Sequence, residues 1–502
     1  MRTAYDVETV RAAERELMAE LPEGTLMQRA AAGLATACAQ LLGRVYGSRV
    51  VLLVGSGDNG GDALYAGARL ARRGAGVRAV LLRPDRAHGE GLAALVAAGG
   101  RVSADAEADI ARADLVVDGI VGIGGRGGLR PEAARLATAA AAGGGRVVAV
   151  DLPSGVDADT GRVEGEAVRA DLTVTFGAYK PGLLVDPARE HAGALRLVDI
   201  GLRLPPRGHA DEGALRVQAL QHADVGAVLP RPSAESDKYR RGVIGVVAGS
   251  ARYPGAAVLA VSGAVRGGAG AVRYVGPGAD AVLSRFPETL VHAGPPSKAG
   301  RVQAWAIGPG IGDNPDNEAF MADVLASEVP VLVDADGLRL LDAGAVRRRP
   351  APVLLTPHAG EAAVLLGSSR EEVEGGRLAA VRELAGRFGA VALLKGSTTL
   401  VADGRAGASG TGGAAVVRVN PTGTGWLATA GSGDVLSGLA GSLLATGLAP
   451  LDAGSVAAYL HGLAARRAAR RRPGVHAPVV ATDVAAALPE AWADVWSGVV
   501  TG

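Results

Sequence analysis

The sequence predicts an α/β protein built from two three-layer αβα domains with mostly parallel sheets. Three observations predict it. Short β-branched runs ending in Gly or Asp alternate with helical stretches. The alternation breaks once, shortly after residue 203, and then restarts. At 502 residues the chain is also too long for one ordinary domain.

Residues 8–42 carry a helical pattern. The run Val50–Val54 reads as a strand, followed by a glycine turn and a helix over Ala63–Arg73. Val77–Leu82, Asp114–Val117, Arg146–Val150 and Leu172–Phe176 are further strands. Pro205-Pro206 through Gly213 reads as a linker or long surface loop, which divides the chain into domains over 1–207 and 214–500. Beyond it, strands are predicted at Val243–Ala248, Ala271–Val275, Ala304–Ile307, Val329–Val333, Val353–Thr356 and Ala390–Leu394. A long helical tail starts at Gly433. The halves share an architecture but no alignable repeat.

Composition narrows the function class. Hydrophobic residues make up 48% and charged residues 21%, with only 3% aromatic, so Ala, Val and Leu must fill the cores. A net charge of +1 gives no global reason to expect nucleic acid or an anionic membrane as partner. The basic run Arg466–Arg472 sits at the end of a predicted helix, where it complements the helix dipole as a solvated face. Cys38 stands alone, which excludes an intrachain disulfide and suits a reducing compartment. The eight histidines show no zinc spacing. No apolar stretch reaches the roughly 18 residues a membrane span needs, and the start is not a signal peptide; the cytoplasm is expected. A homo-oligomer is a weaker expectation.

In the first half, Gly55-Ser-Gly57-Asp58-Asn59-Gly60-Gly61-Asp62 runs from a strand into a helix and contains a literal GxGxxG. The acidic residue that usually confirms a dinucleotide site is missing, because Val77–Leu82 runs into Arg83-Pro84. The packed polar residues Asp58, Asn59 and Asp62 are more telling than the glycines. Two more strand ends carry such groups, Asp118 before Gly122–Gly128, and Asp151 with Ser154. Ligands in open α/β sheets bind at carboxyl strand ends, so the three clusters are expected to share one crevice. Oxygen donors from Asn59, Asp118 and Ser154 suit a hard cation.

The ordered series Asn59-Gly-Gly-Asp62, Val117–Gly127, Ala149–Gly161 and Thr175–Gly182 resembles the NAD(P)H-hydrate epimerase family over roughly residues 8–203. The resemblance implies a Rossmann-like domain that binds hydrated NADH or NADPH and a potassium ion. By position, Asp58, Asn59, Gly60, Gly61, Asp62, Gly122, Ile123, Gly124, Gly125, Arg126, Gly127 and Gly128 would hold the hydrate, with Asp151 at the reacting ring. Asn59, Asp118 and Ser154 would bind potassium. Asp151 and Lys180 are the candidate acid/base pair, which needs shared reach of one hydroxyl. The family usually has Asn at Asp58 and Gly at Ala63.

In the second half, Gly431-Ser-Gly-Asp434 opens a long helix, where free N–H groups and the helix dipole favour an anion. An aspartate there can take a proton from a hydroxyl during phosphoryl transfer; the bland alternative is an N-cap. Lys395-Gly396-Ser397-Thr398-Thr399 follows a strand and fits phosphate binding, while His358 alone reads as a turn residue. Together with Lys238–Gly242, Gly249–Ala256, Arg266–Gly270, Gly308–Gly312, Asp334–Gly337 and Thr356–Glu361, these resemble the ribokinase-like superfamily over about residues 214–490. Within that superfamily they resemble specifically the branch of ADP/ATP-dependent NAD(P)H-hydrate dehydratases. The resemblance implies that Ala256, Gly310, His358 and Asp434 contact the hydrate. It places Lys395–Thr399 and Gly433 at the adenine nucleotide, ADP with Mg2+, and makes Asp434 the base. Family patterns usually have Met near Trp426 and Gly at Ala430.

Two other readings compete with hydrate repair. The second half would instead phosphorylate a small alcohol, such as a vitamin or sugar, or the first half would be a silent dinucleotide-binding module.

Overall fold

A computed structural model of the chain describes residues 1–205, 215–405, 416–472 and 474–500. It divides into two compact units, Thr3–Val217 and Met1–Arg2 with Gln218–Gly502. Beyond Pro205, the expected linker lies outside the described residues up to 214.

The strands of the first unit are rich in Val and Leu because they are buried on both faces. Their order is Arg101–Val102, Gly76–Leu81, Arg49–Val54, Leu115–Gly119, Arg146–Val150, Leu172–Phe176, Ala194–Val198, and every pair is parallel. Side-chain alternation sends Val50, Leu52, Leu115 and Val117 to one core with Leu34 and Leu64. It sends Val51, Leu53 and Val116 to a second core with Ile110 and Leu136. Two cores on one sheet make three layers, as predicted. The chain leaves Arg49–Val54 for Gly76–Leu81 on one side and later adds Leu115–Gly119 on the other, so the sheet's switch point lies between the strands that end near Asn59 and Asp118.

Two local expectations change. The 8–42 pattern is two helices, Val7–Glu20 and Thr25–Leu42, parted where Pro22 precedes Gly24 at φ 76°. The helix expected over Ala63–Arg73 starts at Asp58, so Asp58, Asn59 and Asp62 occupy its first turns.

The second unit's sheet runs Val416–Val419, Leu400–Asp403, Val391–Leu394, Val353–Leu355, Val331–Val333, Ala304–Ile307, Val243–Val247, Ala271–Val275, Leu290–His292. It is parallel throughout except for the pairs made by Leu400–Asp403. Its switch point lies between Val243–Val247 and Ala304–Ile307, and there the Gly249 N–H donates to the Pro309 carbonyl at 2.8 Å. The expected helical tail is three helices, Ser432–Ala445, Pro450–Ala469 and Ala481–Val500, interrupted by a short hairpin. Arg466 and Arg467 do close a helix, but Arg470–Arg472 forms a strand paired with Val475–His476. The arginines of the whole run are exposed, as the solvated-face reading expects, but only its first part closes a helix.

Glycine sets how closely the helix carrying Asp434 approaches its neighbour Pro254–Arg266. A Cβ on Gly438 would stand 1.9 Å from the Ala260 carbonyl oxygen, and one on Gly263 would stand 2.1 Å from that of Val435. The two backbones touch directly, which fixes Ser432–Ala445 against the helix that begins beside Ala256. Gly438→Ala is expected to lower stability by about 1–3 kcal/mol through overpacking, measured as the shift in urea midpoint.

Candidate active sites

At the first unit's switch point, Asp118 ends a strand and is fully buried. Its carboxylate accepts from the Ser154 N–H at 2.8 Å, the Ser154 hydroxyl at 2.7 Å and the Ile120 N–H at 3.3 Å. Burial pushes its pKa up to about 6, with the Ser154 bonds pulling the other way. Among the described residues it has no ion-pair partner. An anion that is buried, hydrogen-bonded and unpaired fits a hard monovalent cation. Asn59 lies alongside: its Nδ2 donates to the Val150 carbonyl at 2.6 Å, and a Cβ on Gly122 would fall 2.2 Å from its Oδ1. Asn59 is thus wedged between two of the strand-end segments, and only glycine at 122 leaves room for it.

The next strand end holds Asp151 at φ 65°, a left-handed backbone that aspartate tolerates better than most residues. Its Oδ1 accepts from Thr175 Oγ1 at 2.9 Å, from the Phe176 N–H at 3.1 Å and from the Lys180 ammonium, which forms a buried ion pair with it. Lys180 also donates to Thr175 Oγ1 at 3.0 Å and the Phe176 carbonyl at 3.2 Å. These bonds engage one carboxylate oxygen and leave Oδ2 for a ligand. Asp62, Asp58 and Glu14 bring three more carboxyl groups beside the pair. Burial, then Asp151, Asp58 and Glu14, hold the Asp62 carboxyl well above its usual range, and its buried Oδ1 has no partner among the described residues. Glu14 is likewise raised, chiefly by burial. The loop Gly122–Gly128 is partly exposed, with a Cβ on Gly128 only 2.0 Å from the Glu164 carbonyl oxygen.

In the second unit the predicted residues also converge. A Cβ on Gly310, at φ 62°, would lie 2.5 Å from that of Ala256. Gly308 packs on Asp334: a Cβ there would fall 1.8 Å from the Asp334 carbonyl oxygen. Asp334, almost fully buried, pairs with Lys395 at 2.8 Å and accepts from the Ser437 hydroxyl. Lys395 also stands 3.7 Å from Glu361, which closes a reciprocal capping box with His358. A Cβ on Gly433 would be 3.4 Å from the Lys395 ammonium. Burial pulls the Lys395 pKa down, but Asp334 and Glu361 outweigh it and hold it above the ordinary lysine value.

Asp434 is no N-cap. Gly431 caps that helix at φ 84°, and Asp434 lies in its first turn with its carboxyl partly exposed. Burial and the neighbouring Asp334 raise its pKa to about 7, against the pull of Lys395. A base poised there can take a hydroxyl proton near neutrality while the helix N-terminus faces an anion. Behind it, Asn420 donates to the Ala458 carbonyl at 2.9 Å, and Arg466 donates to the carbonyls of Thr422 and Gly423. His461 is buried, and burial lowers its pKa to about 4, so it stays neutral.

Comparisons with known proteins show the family. A family model described as YjeF-related protein N-terminus matches residues 23–182, and one described as NAD(P)H-hydrate dehydratase matches residues 244–489. A bifunctional NAD(P)H-hydrate repair enzyme of Mycobacterium leprae is 49% identical over 93% of this chain and 94% of its own. The chain belongs to the bifunctional NAD(P)H-hydrate repair enzyme family. A Corynebacterium glutamicum member of this repair family is 35% identical over 99% of both chains. A solved Bacillus subtilis ADP/ATP-dependent NAD(P)H-hydrate dehydratase, co-crystallised with ATP/Mg2+, is 29% identical over 55% of this chain and 97% of that one, with a TM-score of 0.47.

Sequence reasoning gave no role to Asp334, Ser437, Glu14 or Thr175 in either half of this repair enzyme. Asp334 was visible within the motif Asp334–Gly337, but nothing in the sequence shows that it holds Lys395. Arg377 was also missed. Its guanidinium donates to the carbonyls of Leu394, Lys395 and Thr398 and so supports the Lys395–Thr399 loop from below.

Ser154→Ala leaves buried Asp118 short of one donor. The loss is expected to be about 1–3 kcal/mol at pH 8. Asp118 has a folded pKa above its unfolded value, so its charge penalty is present at high pH and relieved as pH falls through about 6. The destabilisation should therefore shrink at pH 5, which urea midpoints at the two pH values check.

Proposed function

We propose that the chain restores hydrated NADH and NADPH, epimerising the C6 hydroxyl in its first domain (1–207) and dehydrating the S form in its second (214–500). The observation that carries this reading is Asp434, a base with a pKa of about 7 in a glycine turn, beside Lys395 and Asp334. The buried Asp151–Lys180 pair gives the first domain its matching acid and base.

In the first domain, Asp151 and Lys180 share reach of the C6 hydroxyl. Protonation lets it leave as water, and water returns to the other face with loss of a proton. Asp58–Asp62 and Gly122–Gly128 hold the dinucleotide. Asn59, Asp118 and Ser154 would hold potassium, which neutralises the buried charge on Asp118. In the second domain, Ala256, Gly310 and His358 seat the hydrate, and Lys395–Thr399 with Gly433 hold ADP. Asp434 accepts the C6 hydroxyl proton as that oxygen attacks the terminal phosphoryl group and AMP leaves. The C6–O bond then breaks, phosphate departs and a proton is lost from C5, restoring the nicotinamide. Mg2+ with the nucleotide supplies charge neutralisation for the transferring phosphoryl. The lone buried Cys38 supports a cytoplasmic location, and among the described residues no helix is long and apolar enough to cross a membrane. A homo-oligomer is part of the same proposal.

The decisive test is absorbance at 340 nm with mixed-epimer NADH hydrate, Mg2+ and ADP. Full recovery of the NADH signal is expected, and no recovery with either ADP or ATP overturns the repair reading. Asp151→Asn should stop recovery near the fraction of the S epimer, while Asp434→Asn should slow dehydration by about 10²–10⁴-fold. Below pH about 7 the dehydration rate should fall as Asp434 protonates. Lys395→Met removes the cation that lowers that pKa, so the break in the pH–rate profile should move upward.

A further inference from the structure

Helix Val7–Glu20 supplies no residue to the proposed chemistry, yet it is tied to the first site at three points. The Tyr5 N–H just before it donates to the Tyr179 carbonyl at 2.9 Å, next to Lys180. The Val7 N–H donates to Asp159 at 2.7 Å. Ile123, in the loop Gly122–Gly128, packs with Val10 and Ala178. Residues three and four apart share a helix face, so the face that meets the site continues from Val7 to Arg11 and on to Glu14. Glu14 lies within electrostatic reach of Lys180, Asp151 and Asp58. Arg11 reaches the glycine loop itself: a Cβ on Gly124 would stand 3.2 Å from its Nη2.

Charge decides what Arg11 does there. Its guanidinium is exposed and has no hydrogen bond or ion pair among the described residues, and its effect on the Glu14 carboxyl is the weakest of those acting on that group. The ring end of the crevice is different. It gathers Asp58, Asp62, Asp151 and Glu14, and the Lys180 ammonium there is already paired with Asp151. Arg126, on the glycine loop, has the Asp159 carboxyl within electrostatic reach. With the reacting ring at Asp151, the phosphates of a hydrated dinucleotide need a cation that is not committed elsewhere. A guanidinium only donates, and its planar fork matches two phosphate oxygens at once. We propose that Arg11 is a further binding residue of the first site and holds a phosphate of the hydrated dinucleotide, either its pyrophosphate or the ribose 2′-phosphate of the NADPH form. The inference rests on the repair reading of this site and adds to it an anchor away from the reacting ring.

Epimer interconversion by the full chain tests it. R and S forms of NADH hydrate and of NADPH hydrate are separated by chromatography after incubation without ADP or ATP, so that only the first domain turns over. Arg11→Gln should raise KM by about tenfold, the loss expected for a charge-assisted hydrogen bond, and leave kcat unchanged. Arg11→Lys should recover part of that loss, because the charge stays and the fork does not. An equal rise for both hydrates assigns Arg11 to the pyrophosphate, and a rise confined to NADPH hydrate assigns it to the 2′-phosphate. An unchanged KM for both hydrates, or a loss carried by kcat alone, overturns the proposal and leaves the repair reading standing. Interconversion by the unaltered chain no faster than the uncatalysed rate overturns the epimerase reading, and the inference with it.

Discussion

The ion pair between Lys395 and Asp334 sits where four stretches of backbone meet, and the second site is arranged around it. Asp334 ends one strand and receives Ser437 from the helix that bears Asp434. Lys395 ends another strand, faces Gly433 and lies near the Glu361 cap. A pair of this kind is costly to bury and more costly to break from one side, because the surviving charge is then stranded. Its value lies in placement. It sets an ammonium beside the glycine turn, and its aspartate adds to burial in raising the neighbouring Asp434 carboxyl to about 7. The first unit solves a similar problem differently. There the Asp151–Lys180 pair is buried, while Asp118 is buried with no cationic side chain paired to it among the described residues.

Most of the fold was legible because both parallel sheets are buried on two faces, so their central strands are uninterrupted Val and Leu runs. What was missed has particular causes. Arg101–Val102 is too short to carry a pattern, and Leu400–Asp403 with Val416–Val419 belongs to the antiparallel margin. The start of Asp58–Arg72 was hidden because Gly60 and Gly61 are poor helix formers, and close packing is what keeps them helical. A Cβ on Gly60 would meet the Gly55 carbonyl oxygen at 2.4 Å.

The sites were legible to the extent that motifs lie at strand ends. Asn59, Asp118, Ser154 and Asp151 were readable because each follows an apolar run, and topology brings those runs side by side. Asp434 was readable from its glycines. Glu14 was not, because it lies on a helix outside the strand-end pattern and reaches the carboxylate cluster only through tertiary packing. Arg377 gives no signal either, since its bonds are to carbonyls, which every residue has.

The glycine contact between Pro254–Arg266 and Ser432–Ala445 has a further consequence. Helices that meet through interleaved side chains can slide by small ridge-over-groove steps. Helices that touch backbone to backbone have no neighbouring register to settle into. The floor of the second site is therefore stiff, and shape change during turnover falls to the connecting segments around it. Substrate selection there becomes a matter of what the loops admit, with the helical frame acting as a fixed gauge.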